Sequence, residues 1–296
     1  MKQQLCLLLT LILFPIHIMA ADAPAVNNLS LFGVGAKATA FNGAFSAVAD
    51  DYSAPFWNPA GINFINSISV GGMHNRMSMN RTLDYFSAVI PGSYKNSYGL
   101  GWLSFKVNEI EARRNNTVKP DYLFNSNSQL IYLTYGRKIW GKCAVGANAK
   151  FVYNQLADTK AIGGAIDVGL MIRLFKSMRV SLVSQDLIAN IKWDTGNSEQ
   201  YNALNRVGIS FSFNNILITS EYLKYADRES WLLGAEKKFL GMFKLRSGIG
   251  PDRWAVGAGL SLPVWKKTYL LINYTMLNDP FNVEFSQIVD FNIQIF

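Results

Sequence analysis

From residue 66 to the C-terminus the chain alternates between apolar residues and small or polar ones. In Cys143–Tyr153 the odd positions are apolar, whereas the even positions include Gly146, Asn148 and Lys150. The same two-residue period recurs in 165–173, 205–213 and 254–262. A period of two is typical of β-strands that have one apolar face and one small or polar face.

The alternating stretches predict fourteen strands of about ten residues, the length that a tilted strand needs to cross a bilayer. A soluble antiparallel sandwich also alternates and is the alternative fold. The predicted strands lie at 66–73, 82–91, 97–107, 128–138, 143–154, 161–174, 178–188, 203–213, 215–223, 229–239, 242–249, 253–262, 268–277 and 283–296.

The lengths of the connections favour a membrane barrel. The odd-numbered connections include the two longest, 108–127 and 189–202, whereas even-numbered ones such as 175–177 are short. Up-and-down outer-membrane barrels have short periplasmic turns and longer outside loops. Trp140 and Trp265 fall near the short turns, where an aromatic girdle is expected. The predicted fold is therefore an all-β membrane protein, a 14-stranded antiparallel up-and-down transmembrane β-barrel.

The first twenty residues have the layout of a secretory signal peptide. Lys2 precedes an apolar run from Leu5 to Met19, and small residues follow at the expected cleavage site near Ala20. A transmembrane anchor is the alternative, but the run is short for a helical span and contains Pro15. The expected division is a signal peptide at 1–20, a plug segment at 21–65 and a barrel at 66–296, in the outer membrane of a Gram-negative-type bacterium.

The segment 31–62 is predicted to fill the barrel interior, because a barrel of fourteen strands is too wide for its own side chains to close. Its first half is rich in glycine and alanine, which let backbone lie close to backbone. A disordered periplasmic arm is the alternative, but 36–57 is apolar and aromatic. The candidate plug (hatch) residues are Gly35, Gly43, Asp50, Asp51, Trp57, Asn58, Pro59 and Gly61.

The inward faces of the predicted strands also carry charged residues. Charges inside a lumen must be paired or hydrated, so we expect these side chains to pair with one another or with Asp50 and Asp51. The candidate lumen charges are Lys150, Asp167, Arg173, Arg206, Glu236, Lys244 and Arg246.

Counts of reactive residues argue against catalysis. After removal of the signal peptide the chain retains one cysteine, Cys143, and one histidine, His74. A zinc site needs several such ligands and a catalytic triad needs a base beside its nucleophile. We therefore expect no catalytic residue, no metal and no cofactor, although a barrel enzyme using His74 remains a third alternative. The formal charge of +8 is scattered along the chain, so a nucleic-acid partner is not expected.

Three motifs in the plug segment resemble the hatch of the FadL-like outer-membrane barrels: 35–38 (GAKA), 43–51 (GAFSAVADD) and 57–61 (WNPAG). The resemblance implies fourteen strands and an N-terminal plug. Within that superfamily the chain is most similar to the PorV/PorQ branch, through 165–170, 183–187, 206–211 and 244–248. Asn42 and Asp186 depart from the usual pattern.

The PorV/PorQ resemblance implies a plugged barrel in outer-membrane lipid that assists protein export or surface attachment through its outside loops. Its partners would be exported proteins or secretion-system components. Tyr122, Phe124, Trp193 and Tyr201 are the candidate anchors in those loops, or else ordinary aromatic residues near the membrane surface. The alternative is a FadL-like channel for small hydrophobic molecules such as long-chain fatty acids, with the hatch moving to admit them.

Overall fold

The computed structural model describes residues 28–92, 95–278 and 285–296. The expected signal peptide at 1–20 and the first residues of the expected plug, 21–27, lie outside the described residues. No helix in the described part of the chain is both long enough and apolar enough to cross a membrane.

The described chain forms a closed antiparallel barrel of fourteen strands, as predicted. Each barrel strand pairs with its neighbours in the chain, and β1 pairs with β15 to close the cylinder. One further two-residue strand, β8, pairs with β7 outside the barrel. The strands are β1 (Ile68–Met77), β2 (Arg81–Pro91), β3 (Asn96–Ala112), β4 (Tyr122–Trp140), β5 (Cys143–Leu156), β6 (Thr159–Phe175), β7 (Met178–Trp193), β8 (Ser198–Glu199), β9 (Leu204–Phe213), β10 (Ile216–Tyr225), β11 (Arg228–Phe239), β12 (Phe243–Ile249), β13 (Trp254–Trp265), β14 (Thr268–Asn278) and β15 (Phe285–Ile295).

The two ends of the barrel differ. At the end where Ile68 pairs with Ile295, here called the inner end, all six connections are between two and four residues long. The opposite, outer end carries the longer connections 113–121 and 194–203. Outer-membrane barrels have short turns on the periplasmic side and longer loops outside, and the two ends of this barrel differ in the same way.

The two long loops are shorter than the sequence predicted. The β3–β4 ladder continues past the bulge at Val107 and Ile110 as far as the pair Ala112 and Tyr122. On the β4 side three apolar residues, 122–124, follow one another, so no two-residue alternation marks this part of the strand in the sequence. Tyr122 and Phe124 consequently lie on strand β4, not in a loop.

The outward face of the strands is apolar and exposed. Leu133 in the middle of β4 is 63% exposed, and Phe151, Ile209 and Val256 are exposed on other strands. Their inward neighbours, such as Tyr132 and Val152, are buried. A continuous apolar outer surface on a closed barrel is what a bilayer requires.

The N-terminal segment is a plug inside the barrel. Residues 34–49 and 51–65 are all buried. They form only short helical pieces, Leu29–Leu31, Ala36–Ala40, Ala54–Trp57 and Gly61–Phe64, joined by turns. Such short helices are not stable alone, so the plug depends on the barrel wall for its structure.

Candidate functional site in the plugged lumen

The Trp57–Gly61 segment of the plug rests on two glycines of the barrel wall. Gly146 of β5 and Gly169 of β6 lie opposite each other in the ladder. A Cβ added to Gly146 would stand 2.3 Å from the carbonyl carbon of Pro59, and one added to Gly169 would stand 2.3 Å from Oδ1 of Asn58. Both positions require glycine because the plug approaches the wall to within backbone contact.

Asn58 holds the turn that follows it. Its Nδ2 donates to the carbonyl of Ser46 at 2.9 Å, and its Oδ1 accepts from the backbone N–H of Ala60 at 2.9 Å. Its backbone is extended, as expected for a residue before proline. Gly61 packs closely too, because a Cβ there would stand 2.6 Å from the Cβ of Ala49.

Trp57 and Arg206 link the plug to the wall. The indole Nε1 of Trp57 donates to the carbonyl of Val34 at 2.8 Å, and the guanidinium of Arg206 lies 5.0 Å from the indole ring centroid. Arg206 also donates to Glu221 at 2.6 Å and to Gln185 at 3.0 Å. The buried guanidinium is thus satisfied by a carboxylate, an amide and an aromatic face.

The partners of Arg206 also bind the plug backbone directly. The second carboxylate oxygen of Glu221 accepts from the N–H of Ser46 at 2.8 Å, and Gln185 donates to the carbonyl of Phe56 at 2.6 Å. The hydroxyl of Ser46 lies 2.8 Å from that of Ser181 on β7. Removing the plug would therefore leave several buried polar groups of the wall without partners.

A second group of contacts holds the helix Ala36–Ala40. Gly35 precedes it with a φ of 80°, a conformation that favours glycine. The N–H of Ala36 donates to Asp290 at 2.6 Å, and the carbonyl of Ala36 accepts from Thr275 at 2.6 Å. Asn273 donates to the other oxygen of Asp290 at 2.6 Å.

This group continues to a buried ion pair. Arg246 donates to Glu236 at 2.6 Å and to the side-chain oxygen of Asn273 at 2.8 Å.

Gly43, which has a φ of 87°, lies beside Trp57, since a Cβ there would stand 3.2 Å from the indole ring. The turns of the plug at Gly35 and Gly43 therefore both use a left-handed backbone.

The third group centres on Lys150, which lies between two carboxylates. Its Nζ is 2.7 Å from Asp167 and 2.9 Å from Asp186, and it donates to the hydroxyl of Ser30 at 3.0 Å. Asp186 has a φ of 54° and sits in a bulge of β7 opposite Asp167. The bulge turns the Asp186 side chain into the lumen, where it meets Lys150.

The two acidic residues of the plug are satisfied within the plug. Asp50 forms its ion pair with Lys37 at 2.5 Å. Asp51 accepts from the N–H and the hydroxyl of Ser53 at 2.9 and 2.6 Å. Of the two expected arrangements, the structure has wall charges that pair with one another, as Lys150 does with Asp167 and Arg246 with Glu236, whereas Asp50 pairs with Lys37 of the plug.

Two of the predicted lumen charges lie near the inner end. The guanidinium of Arg173 is 4.9 Å from the ring centroid of Phe64, which belongs to the last helical piece of the plug. Lys244 is two residues before Arg246 on β12 and therefore shares its lumen-facing side.

The predicted loop anchors separate into two groups. Tyr122 is 54% exposed on the β3–β4 hairpin, and Phe124 is half-buried beside it. Trp193 is only 9% exposed and belongs to the interior apolar cluster, against which Tyr201 also packs. Burial raises the pKa of Tyr201 to about 12. Trp193 and Tyr201 thus contact the interior instead of presenting a surface to a partner.

The outer half of the lumen contains an apolar cluster. Leu29 of the plug is buried there, and Phe32 stacks on Phe105 with ring centroids 4.6 Å apart. A cavity of about 10 Å³, the size of one water molecule, lies beside Leu29 and Tyr201, and the polar residues Asn28 and Asp186 also line it. The wall residues of this apolar compartment are Leu83, Leu103, Phe105, Leu130, Val152, Ala161, Ile191 and Trp193.

Sequence reasoning missed several wall residues that bond the plug, among them Gln185, Glu221 and Asp290, and it missed the carboxylate of Asp186 that pairs with Lys150. The phase of β10 and of β15 marks Glu221 and Asp290 as inward, so strand alternation could have found them. The sequence also indicated no partner for His74. In the structure, Nδ1 of His74 lies 2.6 Å from Oδ1 of Asp84 on the outward face. No group of histidine, cysteine or acidic side chains able to hold a metal occurs among the described residues.

Comparisons with known proteins find the fold but not a close relative. No protein-family model and no curated protein sequence matches the chain. Among solved structures, the chain is similar to one described as CymD monoaromatic hydrocarbon channel, with a TM-score of 0.61, 12% identity, and 89% of this chain and 98% of that chain covered.

Two further solved structures are similar. A Pseudomonas aeruginosa FadL homologue aligns with a TM-score of 0.57 at 11% identity over 85% of this chain and 95% of its own. The Pseudomonas putida toluene transporter TodX aligns with a TM-score of 0.55 at 11% identity over 82% and 92%. At these identities the likeness is one of fold alone.

Proposed function

We propose that this barrel passes small hydrophobic molecules across the outer membrane, with the N-terminal plug as its gate. The observation that carries the proposal is the apolar compartment in the outer half of the lumen. Two of its occupants, Leu29 and Phe32, belong to the plug segment and not to the wall. A molecule of similar apolar chemistry could take their place if this segment moved.

The aromatic character of the compartment suggests the class of molecule. Phe105 and Trp193 line it, and aromatic rings favour contact with flat or extended hydrocarbon. The similar structures named CymD and TodX are described as a monoaromatic hydrocarbon channel and a toluene transporter, which supports this class. Monoaromatic hydrocarbons and long-chain fatty acids are the substrates to test.

The inner half of the lumen is closed by the plug body. Passage to the periplasm therefore requires the plug to shift away from the wall around Ser46, which is bonded to Glu221, and around Asn58, whose Nδ2 donates to the carbonyl of Leu170 at 3.4 Å. Each such hydrogen bond contributes about 0.5–1.5 kcal/mol, so the movement must exchange the broken bonds for bonds to water or to the passing molecule's surroundings.

An uptake assay with a lockable plug tests both parts of the proposal. Ser46→Cys and Ser181→Cys, made in a Cys143→Ser background, place two sulfurs where hydroxyls now lie 2.8 Å apart. Host cells without other channels for hydrophobic compounds would express this variant, with the Ser46→Cys single variant as the matched control. Uptake of labelled toluene and of a labelled long-chain fatty acid is the readout.

We expect the control to take up at least one of these compounds faster than cells without the barrel. The oxidised double variant should lose that uptake and regain it after reduction. No uptake by the control of either compound would contradict the transport function. Equal uptake by the oxidised and reduced double variant would contradict the moving plug.

A docking barrel for exported proteins is the second candidate, in line with the PorV/PorQ resemblance. The β3–β4 hairpin that favours it carries exposed apolar residues, with Val118 97% exposed and Tyr122 and Leu123 each 54% exposed. A tagged barrel should then retain exported proteins, and replacing 112–123, which contains all three residues, by two glycines should release them. Retention that survives this replacement would argue against the hairpin as the docking site.

A further inference from the structure

On the outward face of the barrel, a row of three side chains that includes two cations lies beyond the apolar surface, toward the outer end. Arg76 of β1, Thr82 of β2 and Lys106 of β3 are register partners on neighbouring strands. Neighbouring strands are about 4.8 Å apart, so the backbones of Arg76 and Lys106 are about 10 Å apart with Thr82 between them. The two long side chains can converge on one anionic group above Thr82.

The row lies beyond the apolar surface toward the outer end. Gly72, Phe86 and Trp102 form the corresponding apolar row four residues nearer the inner end on the same three strands. Four residues of strand correspond to about 13 Å. The cations are therefore at the outer edge of the lipid-facing surface, where the headgroups of the outer leaflet lie.

Neither cation is neutralised by the protein. Arg76 and Lys106 are exposed, and within the described ranges neither has an ion pair or a side-chain hydrogen bond. The carboxylate of Asp84 is bonded to His74, and that of Glu109 accepts from Asn80 at 2.8 Å. The row continues with uncharged polar residues on both sides, Gln287 and Asn127.

A surface concavity adjoins the row. It has a volume of about 520 Å³ and is lined by Arg76, Thr82 and Arg81 and also by the carboxylate of Glu109, whereas Lys106 lies beside it. The volume exceeds what a single phosphate needs and is suited to a sugar ring that carries one. Arg81 stands at its edge, held by two bonds to Ser78 at 2.8 Å each.

We propose that Arg76, Thr82 and Lys106 bind the phosphorylated sugar headgroup of an outer-leaflet lipid. Guanidinium and ammonium groups are the side chains that bind phosphate best, and the threonine hydroxyl adds a donor between them. A second copy of this chain is disfavoured as the occupant, because a symmetric contact would bring the same cations face to face. This site is independent of the transport function.

The test measures lipid binding to the purified barrel in nanodiscs of phosphatidylcholine. The probes are diphosphorylated lipid A, its dephosphorylated form and phosphatidylglycerol. The variant is Arg76→Ala/Lys106→Ala. The matched control is Arg137→Ala/Lys237→Ala, which removes the same two residue types from the outward face near the inner end.

We expect the Arg76→Ala/Lys106→Ala variant to bind diphosphorylated lipid A about thirty-fold more weakly than wild type, since each cation near an anionic lipid contributes about a factor of five. The control should bind like wild type, and wild type should prefer the diphosphorylated form over both other probes. An equal loss in the control, no loss in the variant, or equal binding of phosphatidylglycerol would overturn the proposal. Self-association lost only in the variant would instead identify a second copy as the occupant and overturn it as well.

Discussion

The side-chain oxygen of Asn58 occupies the space where Gly169 has no side chain, so that a Cβ on Gly169 would stand 2.3 Å from it. Gly146, the ladder partner of Gly169, makes the same kind of room for Pro59. The absence of side chains at Gly146 and Gly169 thus lets the plug lie directly against the barrel wall. Adding a single methyl group at one of these glycines tests this fit.

Replacing Gly146 with alanine should loosen the plug. The new methyl group would collide with the Pro59 backbone, which cannot move without shifting the rest of the plug, at a cost of about 1–3 kcal/mol. We expect larger and more frequent ion currents through the barrel in planar bilayers. Gly141→Ala is the control, because nothing lies within 4 Å of a Cβ there. Identical currents from both variants would contradict the fit.

Arg206→Met should destabilise the barrel far more than the double change Arg206→Met/Glu221→Gln. The single change leaves a buried carboxylate without its cation, at about 3–5 kcal/mol, whereas the double change removes both charges. The free energy of unfolding in urea, measured in lipid vesicles, gives the comparison. If the single and double variants unfold at the same urea concentration, Glu221 does not depend on Arg206.

Trp193→Ala should lower the free energy of unfolding much more than Tyr122→Ala. Trp193 is buried in the apolar compartment, so its truncation should lower the free energy of unfolding by about 3–5 kcal/mol. Tyr122 is exposed on the hairpin, and its truncation should change stability by about 0.5 kcal/mol or less. Urea unfolding measures both. A small effect at Trp193 would mean that its side chain does not belong to the interior.

Leu133→Arg should impair insertion into a bilayer. Leu133 is exposed in the middle of the outward face of β4, where an arginine costs about 2–4 kcal/mol against lipid. Val118→Arg, in the exposed β3–β4 connection, should insert like wild type. The yield of folded barrel in vesicles, followed by its altered mobility on unheated gels, is the measurement. Equal yields would argue that β4 does not face lipid.

The sequence alone determined the number and phase of the strands and the presence of a plug. Alternation has a period of two, so each stretch such as Cys143–Tyr153 states which side chains face inward without reference to any other strand. It also identified Lys150, Asp167 and Arg206 as inward charges and 57–61 as a rigid turn. These properties depend on residues close together in the chain, where a pattern can report them.

Only the tertiary structure decided which of these groups meet. Asp186 reaches Lys150 because β7 has a bulge there, which shifts its pairing register with β6. The alternation of apolar and polar residues does not predict this bulge. Asp50 is bound by Lys37 of the plug, and the carboxylate that satisfies Arg206 comes from β10. Trp193 lies in the interior because β7 continues beyond its predicted end. In each case the distance between the residues depends on strand register and on the path of the plug. A local sequence pattern predicts neither of these.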